Sequence, residues 1–182
     1  MDDKKHEEGV APEELDVPVG RERKLNREEI MRRVRERLVE ATTHDITNEV
    51  KNRLFEMAKS ALEKAYAPYS GVMVASAVSD SEGHLYAGVN VENVSFGLTM
   101  CAERNAIANA IAGGAKKIEA VLIMSSIGAI PPCGACRQVI AEFADEKAEI
   151  FLATRDGIEV ETTIGELLPR AFGMEWPKKG CE

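Results

Sequence analysis

Three cysteines constrain this chain of 182 residues more than any other feature of it. Cys133 and Cys136 form a C-x-x-C in PPCGAC, where two prolines give way to the helical run GACRQVIAEF. Cys101, 32 positions earlier, opens a second helical run, CAERNAIANAIA. By itself a C-x-x-C is ambiguous between a redox pair and half of a zinc site. The third thiol favours zinc, which is borderline soft and accepts tetrahedral sulfur ligation. The chain must therefore fold so that the helix starts at Cys101 and Gly134 converge.

No fourth protein ligand is evident. His6, His44 and His84 fall in a tail, an inter-helix loop and a strand start, and Cys181 lies one residue from the end. The open fourth position is assigned to water, the arrangement expected of a catalytic zinc, which can lower the pKa of bound water from about 15.7 to roughly 7. Three thiolates around a divalent ion leave one net negative charge and weaken that effect. The two helix N-termini and Arg104 can offset it. Residues two apart on a helix do not share a face, so Glu103 points to a different side from Cys101. There a carboxylate can accept a proton from water and deliver it to a leaving group, rather than merely complement the helix dipole.

The rest of the chain argues for one core with an appendage. Its 23 basic and 31 acidic side chains, a net charge of −8, offer no general attraction to nucleic acid or anionic membranes. No apolar run approaches membrane-spanning length and MDDKKHEEGV lacks the apolar region of a secretory signal, so a soluble cytoplasmic protein is expected. Disulfides are a poor account of cysteines in that compartment.

Residues 1–20 are acidic and poor in large apolar groups, which predicts disorder. Residues 21–37 are basic, and Ile30, Val34 and Leu38 recur every four positions, which predicts an amphipathic helix. Interleaved acids and the lack of aromatics favour a solvated packing face over an RNA or membrane contact. Residues 1–45 are thus read as an N-terminal extension, 46–175 as the catalytic domain and 176–182 as a tail. A helix with the stripe Val50, Leu54, Met57, Ala61, Leu62 and Ala65 comes next, ending before Pro68. Two hairpin-linked strands, VMVASAV and HLYAGVNV, then lead into alternating helices and strands: helix 100–112, strand AVLIM, helix 134–143, strands EIFLA and GIEVE, and a short helix around IGELL. That alternation predicts an α/β fold of layered helices and sheet.

Five separated motifs, AYAPYS (65–70), NVEN (90–93), CAER (101–104), PCGACRQV (132–139) and ELLPRAF (166–172), make the stretch from Ala65 to Phe172 resemble the small homotetrameric zinc-dependent cytidine deaminases. The resemblance implies a three-layer α/β/α sandwich with a mixed, mainly five-stranded sheet. It implies one zinc per subunit on Cys101, Cys133 and Cys136, with Arg104 bonded to a zinc thiolate, and Glu103 moving protons while activated water attacks C4 of cytosine. Asn90 and Glu92 match positions that bond the ribose hydroxyls. Phe172 matches an aromatic that packs near the base, often from a neighbouring subunit of a homotetramer. Val72 stands where an aromatic usually borders the base, and Phe96 where a tyrosine is frequent.

Hydrolytic deamination of cytidine or 2'-deoxycytidine, a pyrimidine salvage reaction, is the implied function. VASA and GVNV also resemble blasticidin S deaminase, an alternative that shares the fold, zinc and Glu103. A non-catalytic deaminase-fold protein with structural zinc, or an RNA-directed enzyme using the basic helix, are the other readings.

Overall fold

Within IEAVLIMS (118–125) the run AVLIM (120–124) is apolar on both faces, so a strand built from it must be covered on both sides. In the computed structural model, which describes residues 48–173 together with Glu29, this segment is the central strand of the sheet. The acidic tail, the basic helix, His6, His44, Cys181 and the C-terminal tail expected from the sequence lie outside the described residues.

A first helix, α1, occupies 48–62 of the described chain. The remaining elements are β1 (Val74–Asp80), β2 (Leu85–Val89), α2 (Ala102–Ala112), β3 (Ile118–Ser125), α3 (Gly134–Phe143), β4 (Ala144–Thr154), β5 (Gly157–Thr163) and α4 (Ile164–Leu167). The five strands form one sheet in the order β2-β1-β3-β4-β5. β3 and β4 run parallel, and the other three pairings are antiparallel. The mixed five-stranded sheet expected from the sequence is therefore present.

Side chains alternate between faces along each strand, and β3 and β4 feed two separate cores. Val121, Ile123, Ile150 and Leu152 join Ala106, Ile107, Ala110 and Ile140 beneath α2 and α3. Leu122, Met124, Phe151 and Ala153 face the other way and meet Leu54, Ala58, Ala61 and Leu62 of α1. Helices thus cover both faces, giving the three layers. Ala58 carries the middle of the α1 stripe, completing the 54, 58, 61, 62 pattern of one helical face, whereas Ala65 lies past the helix end.

The first strand starts at Val74, two residues later than the apolar run suggests. The carbonyl of Val72 is taken by the side chain of Asn90 at 2.9 Å, and the N–H of Met73 by the hydroxyl of Ser126 at 3.1 Å, so neither group enters the ladder with β2. No helix among the described residues is long and apolar enough to cross a membrane.

What places α2 is its close approach to β2. A Cβ on Gly88 would sit 2.2 Å from the backbone nitrogen of Ala106 and 2.6 Å from the carbonyl oxygen of Ala102. Only glycine lets the helix backbone rest on the strand at that distance. Asn105 and Asn109, one helical turn apart, then donate their side-chain N–H groups to the carbonyls of Val89 and Ala87, each at 2.8 Å. Substituting Gly88→Ala should lower stability by about 3 kcal/mol or more, the upper end for overpacking. Denaturant unfolding measures this, and an unchanged midpoint would mean that α2 can shift off β2 freely.

Candidate metal centre and active site

Cys101 and Cys133 are the N-cap residues of α2 and α3, both with extended backbone (φ −73°, ψ 153° and φ −66°, ψ 165°). Neither side chain caps its own helix, so both sulfurs are free to turn toward each other. They lie 4.0 Å apart. Cys136, fully buried in the first turn of α3, completes a cluster in which all three sulfurs fall within 4.8 Å of one another.

Tetrahedral ligation with Zn–S bonds of about 2.3 Å places sulfurs roughly 3.8 Å apart, so the spacing fits a zinc ion with little adjustment. The chemistry of the donors fits as well: three thiols, two of them at helix N-termini, where unpaired N–H groups favour the thiolate. Among the described residues this is the one group of three or more metal-binding side chains that close together.

Charge around the cluster points the same way. One guanidinium nitrogen of Arg104 donates to the carbonyl of Thr99 at 3.0 Å and faces the Cys101 sulfur at 3.8 Å. The Nε of Arg104 is buried without a partner among the described residues. Arg104 is half-buried, and a partly desolvated cation of this kind is favoured where anions lie beside it, as thiolates of the cluster would. A hydrogen bond from Cys136, with help from Arg104 and Cys133, holds the Cys101 thiol down at about 5. Cys136 moves up, being the donor to Cys101 and buried as well.

Glu103 stands in the first turn of α2 and is only 5 % exposed. Burial pushes its carboxyl up from the ordinary range, and the neighbouring Cys101 thiolate adds to the push. Its position is two residues from one sulfur ligand and within hydrogen-bonding influence of another, Cys136. The described structure thus brings a carboxyl that can hold or release a proton against the thiol cluster.

Beyond β2 the segment 90–92 is held by isolated bridges of Val91 to Tyr66 on one side and to Met100 on the other. Val91 and Met100 exchange N–H···O bonds of 2.9 and 3.0 Å, while Tyr66 donates to Asn90 at 3.0 Å and Glu92 to Tyr66 at 2.8 Å. These bridges tie the AYAPYS loop, NVEN and the entry to Cys101 together. Asn90 is nearly buried; its amide oxygen accepts from the Val74 N–H at 2.9 Å and its amide nitrogen donates to the Val72 carbonyl. One N–H and one lone pair of that amide remain free of these bonds.

Glu92 accepts from the N–H groups of Tyr69 and Ser70 at 2.8 and 3.2 Å and from the Ser70 hydroxyl at 2.5 Å. The Ser70 hydroxyl, chiefly, holds its carboxyl below the usual range. Val72 is half-buried. Phe96 is 74 % exposed, with its ring edge-on to Tyr69 at 5.9 Å, and Phe172 is 72 % exposed. Sequence patterning does not single out Ser70, Asn105 or Asn109 as site-forming residues; the two asparagines do carry a signal, a pair four apart in an otherwise alanine-rich helix.

In metal-free protein, Cys101 should be alkylated by iodoacetamide with a midpoint near pH 5, far below an ordinary thiol, and Arg104→Ala should move that midpoint upward. Peptide mapping of the labelled protein reads the site. A Cys101 midpoint near 8.5, roughly the ordinary thiol value, would contradict the electrostatic account.

Comparison with known proteins places these features in a context. One family model, described as the cytidine and deoxycytidylate deaminase zinc-binding region, matches residues 48–152. A cytidine deaminase of Sporosarcina psychrophila is 40% identical over 124 residues, which is 68% of this chain and 91% of that protein. A cytidine deaminase of Halalkalibacterium halodurans is 41% identical over 123 residues, 67% of this chain and 93% of that protein. Among solved structures, the cytidine deaminase of Burkholderia pseudomallei aligns with a TM-score of 0.63 at 44% identity, covering 66% of this chain and 98% of that one.

Proposed function

The chain belongs to the cytidine and deoxycytidylate deaminase zinc-binding family, and on that premise we propose that it hydrolyses cytidine and 2'-deoxycytidine to uridine and 2'-deoxyuridine with release of ammonia. The observation that carries this reading is the buried Glu103 carboxyl set against three thiols within 4.8 Å of one another. Zinc held by Cys101, Cys133 and Cys136, one ion per subunit, would supply the Lewis acidity that makes water a nucleophile at neutral pH.

Glu103 takes the proton from the attacking water and returns it to the departing amine. A carboxyl raised by burial suits both halves of that cycle, because its protonated form is stable enough to act as the acid. Arg104 balances the thiolate charge through its contact with Cys101. Asn90 and Glu92 receive the sugar hydroxyls, Asn90 with the N–H and lone pair left free by the loop and Glu92 with an ionised carboxylate already steadied by Ser70. Their bonds to the 69–74 backbone fix both receivers before substrate arrives, which lowers the ordering cost of binding.

Val72, Phe96 and Phe172 border the base. The exposure of Phe96 and Phe172, together with Tyr66, Val94 and Leu98, supports a homotetramer in which neighbouring copies close one another's sites. Residues 46–175 form the catalytic domain, with 1–45 an appended segment and 176–182 a tail. Reduced, metal-loaded thiols are in keeping with work in the cytoplasm.

The test follows the loss of cytosine absorbance with cytidine, deoxycytidine and blasticidin S in parallel. Turnover of the two nucleosides is expected. Glu103→Gln should reduce kcat by about 10²–10⁴-fold, the usual worth of a general acid and base, while zinc content stays at that of the wild type. Activity on the antibiotic alone, or a Glu103→Gln enzyme within tenfold of wild type, would overturn this reading.

A further inference from the structure

Immediately after Cys136, two consecutive side chains of α3 reach back to different parts of the chain. Arg137 donates from Nε to the carbonyl of Pro132 and from a terminal nitrogen to the carbonyl of Leu167, both at 2.8 Å. Gln138 donates from Nε2 to the carbonyl of Phe172, also at 2.8 Å. Neither residue faces the thiol cluster through a sulfur contact, so the chemistry at the cluster does not use them directly.

The acceptors are the informative part. Pro132 follows Pro131, and neither has an N–H with which to anchor the loop. The Pro132 carbonyl lies in the same rigid peptide plane as the nitrogen of Cys133, so a bond to that oxygen orients the backbone from which Cys133 projects. Leu167 is the last residue of α4, and its carbonyl lacks an intrahelical partner. The same guanidinium therefore joins the metal loop to the end of α4. Five residues on, Gln138 holds the backbone of Phe172 while leaving its ring exposed.

We propose that Arg137 and Gln138 are positioning residues that clamp the C-terminal segment 167–172 to the metal loop, so that Cys133 is steadied by Arg137 and Phe172 by Gln138. The two prongs act on different functions. Arg137 governs how tightly metal is held, and Gln138 governs how the aromatic is presented to substrate. Lysine cannot replace Arg137, since one ammonium on a flexible stem does not span both carbonyls. The assignment rests on the reading that the three thiols hold zinc and that Phe172 borders the base.

Zinc affinity, measured by competition with a chromogenic chelator, and steady-state cytidine kinetics separate the prongs. Arg137→Lys should weaken zinc by about tenfold or more, as loss of an outer contact to a metal site does. Gln138→Met, which keeps the shape and removes the donor, should raise KM several-fold with kcat and zinc affinity within twofold of wild type. Far-UV circular dichroism and melting temperature confirm that each variant is folded. Wild-type zinc affinity in Arg137→Lys, wild-type KM in Gln138→Met, or zinc loss in Gln138→Met overturns the clamp. A wild-type chain that binds zinc and deaminates cytidine while the variants match it overturns the clamp alone; a wild-type chain that binds no zinc overturns the functional reading, and the clamp with it.

Discussion

Three sulfurs crowded within 4.8 Å of one another repel as thiolates, and the Cys136 thiol, pushed up as donor to Cys101, gives up its proton only to a bound metal, which the positive potential of the surrounding structure assists. Two helix N-termini and one guanidinium surround them. Each contribution depends on distance, since the field of a helix end fades within its first turn. The helices must therefore start at the cluster and point away from it. This requirement reaches far into the fold: α2 is lowered onto β2 at Gly88, held there by Asn105 and Asn109, while α3 leaves the cluster in the parallel crossover between β3 and β4.

The same economy appears in the loop network beside the cluster. Asn90 and Glu92 each bond the 69–74 backbone, so the groups suited to receiving a sugar are also those that hold the loop in shape. A receiver fixed by the protein loses little freedom on binding. It also makes loop and site hard to separate by mutation: removing either side chain leaves backbone N–H groups unpaired near the surface. Thr99 plays a comparable double part, its hydroxyl accepting from the N–H of Asn93 and its carbonyl from Arg104.

Much of this is legible in the amino-acid sequence. The three cysteines, Glu103 and Arg104 sit at helix starts that local pattern reveals, and α3 covers the residues the periodicity predicts, 134–143. The doubly covered sheet follows from the apolar run of β3. What local pattern does not reveal is non-local. Whether Val72 and Met73 belong to a strand depends on Asn90 and Ser126, which lie 18 and 53 positions away. The bonds of Arg137 and Gln138 span 30 and 34 positions, and nothing in RQV announces their acceptors. Ala58 does not stand out beside Met57, the larger apolar neighbour that the sequence pattern takes instead, although between a helix and the alanines of β1 the small side chain is the one that fits.

Zinc-edge X-ray absorption on the purified full chain tests the central claim most directly, because it counts the atoms bound to the metal. The account predicts three sulfur scatterers at about 2.3 Å and one oxygen or nitrogen scatterer at roughly 2.0 Å. Four sulfurs would mean a closed, structural site with no position left for a reacting water, and two sulfurs would mean that the thiol cluster does not act as a unit; either result would contradict it.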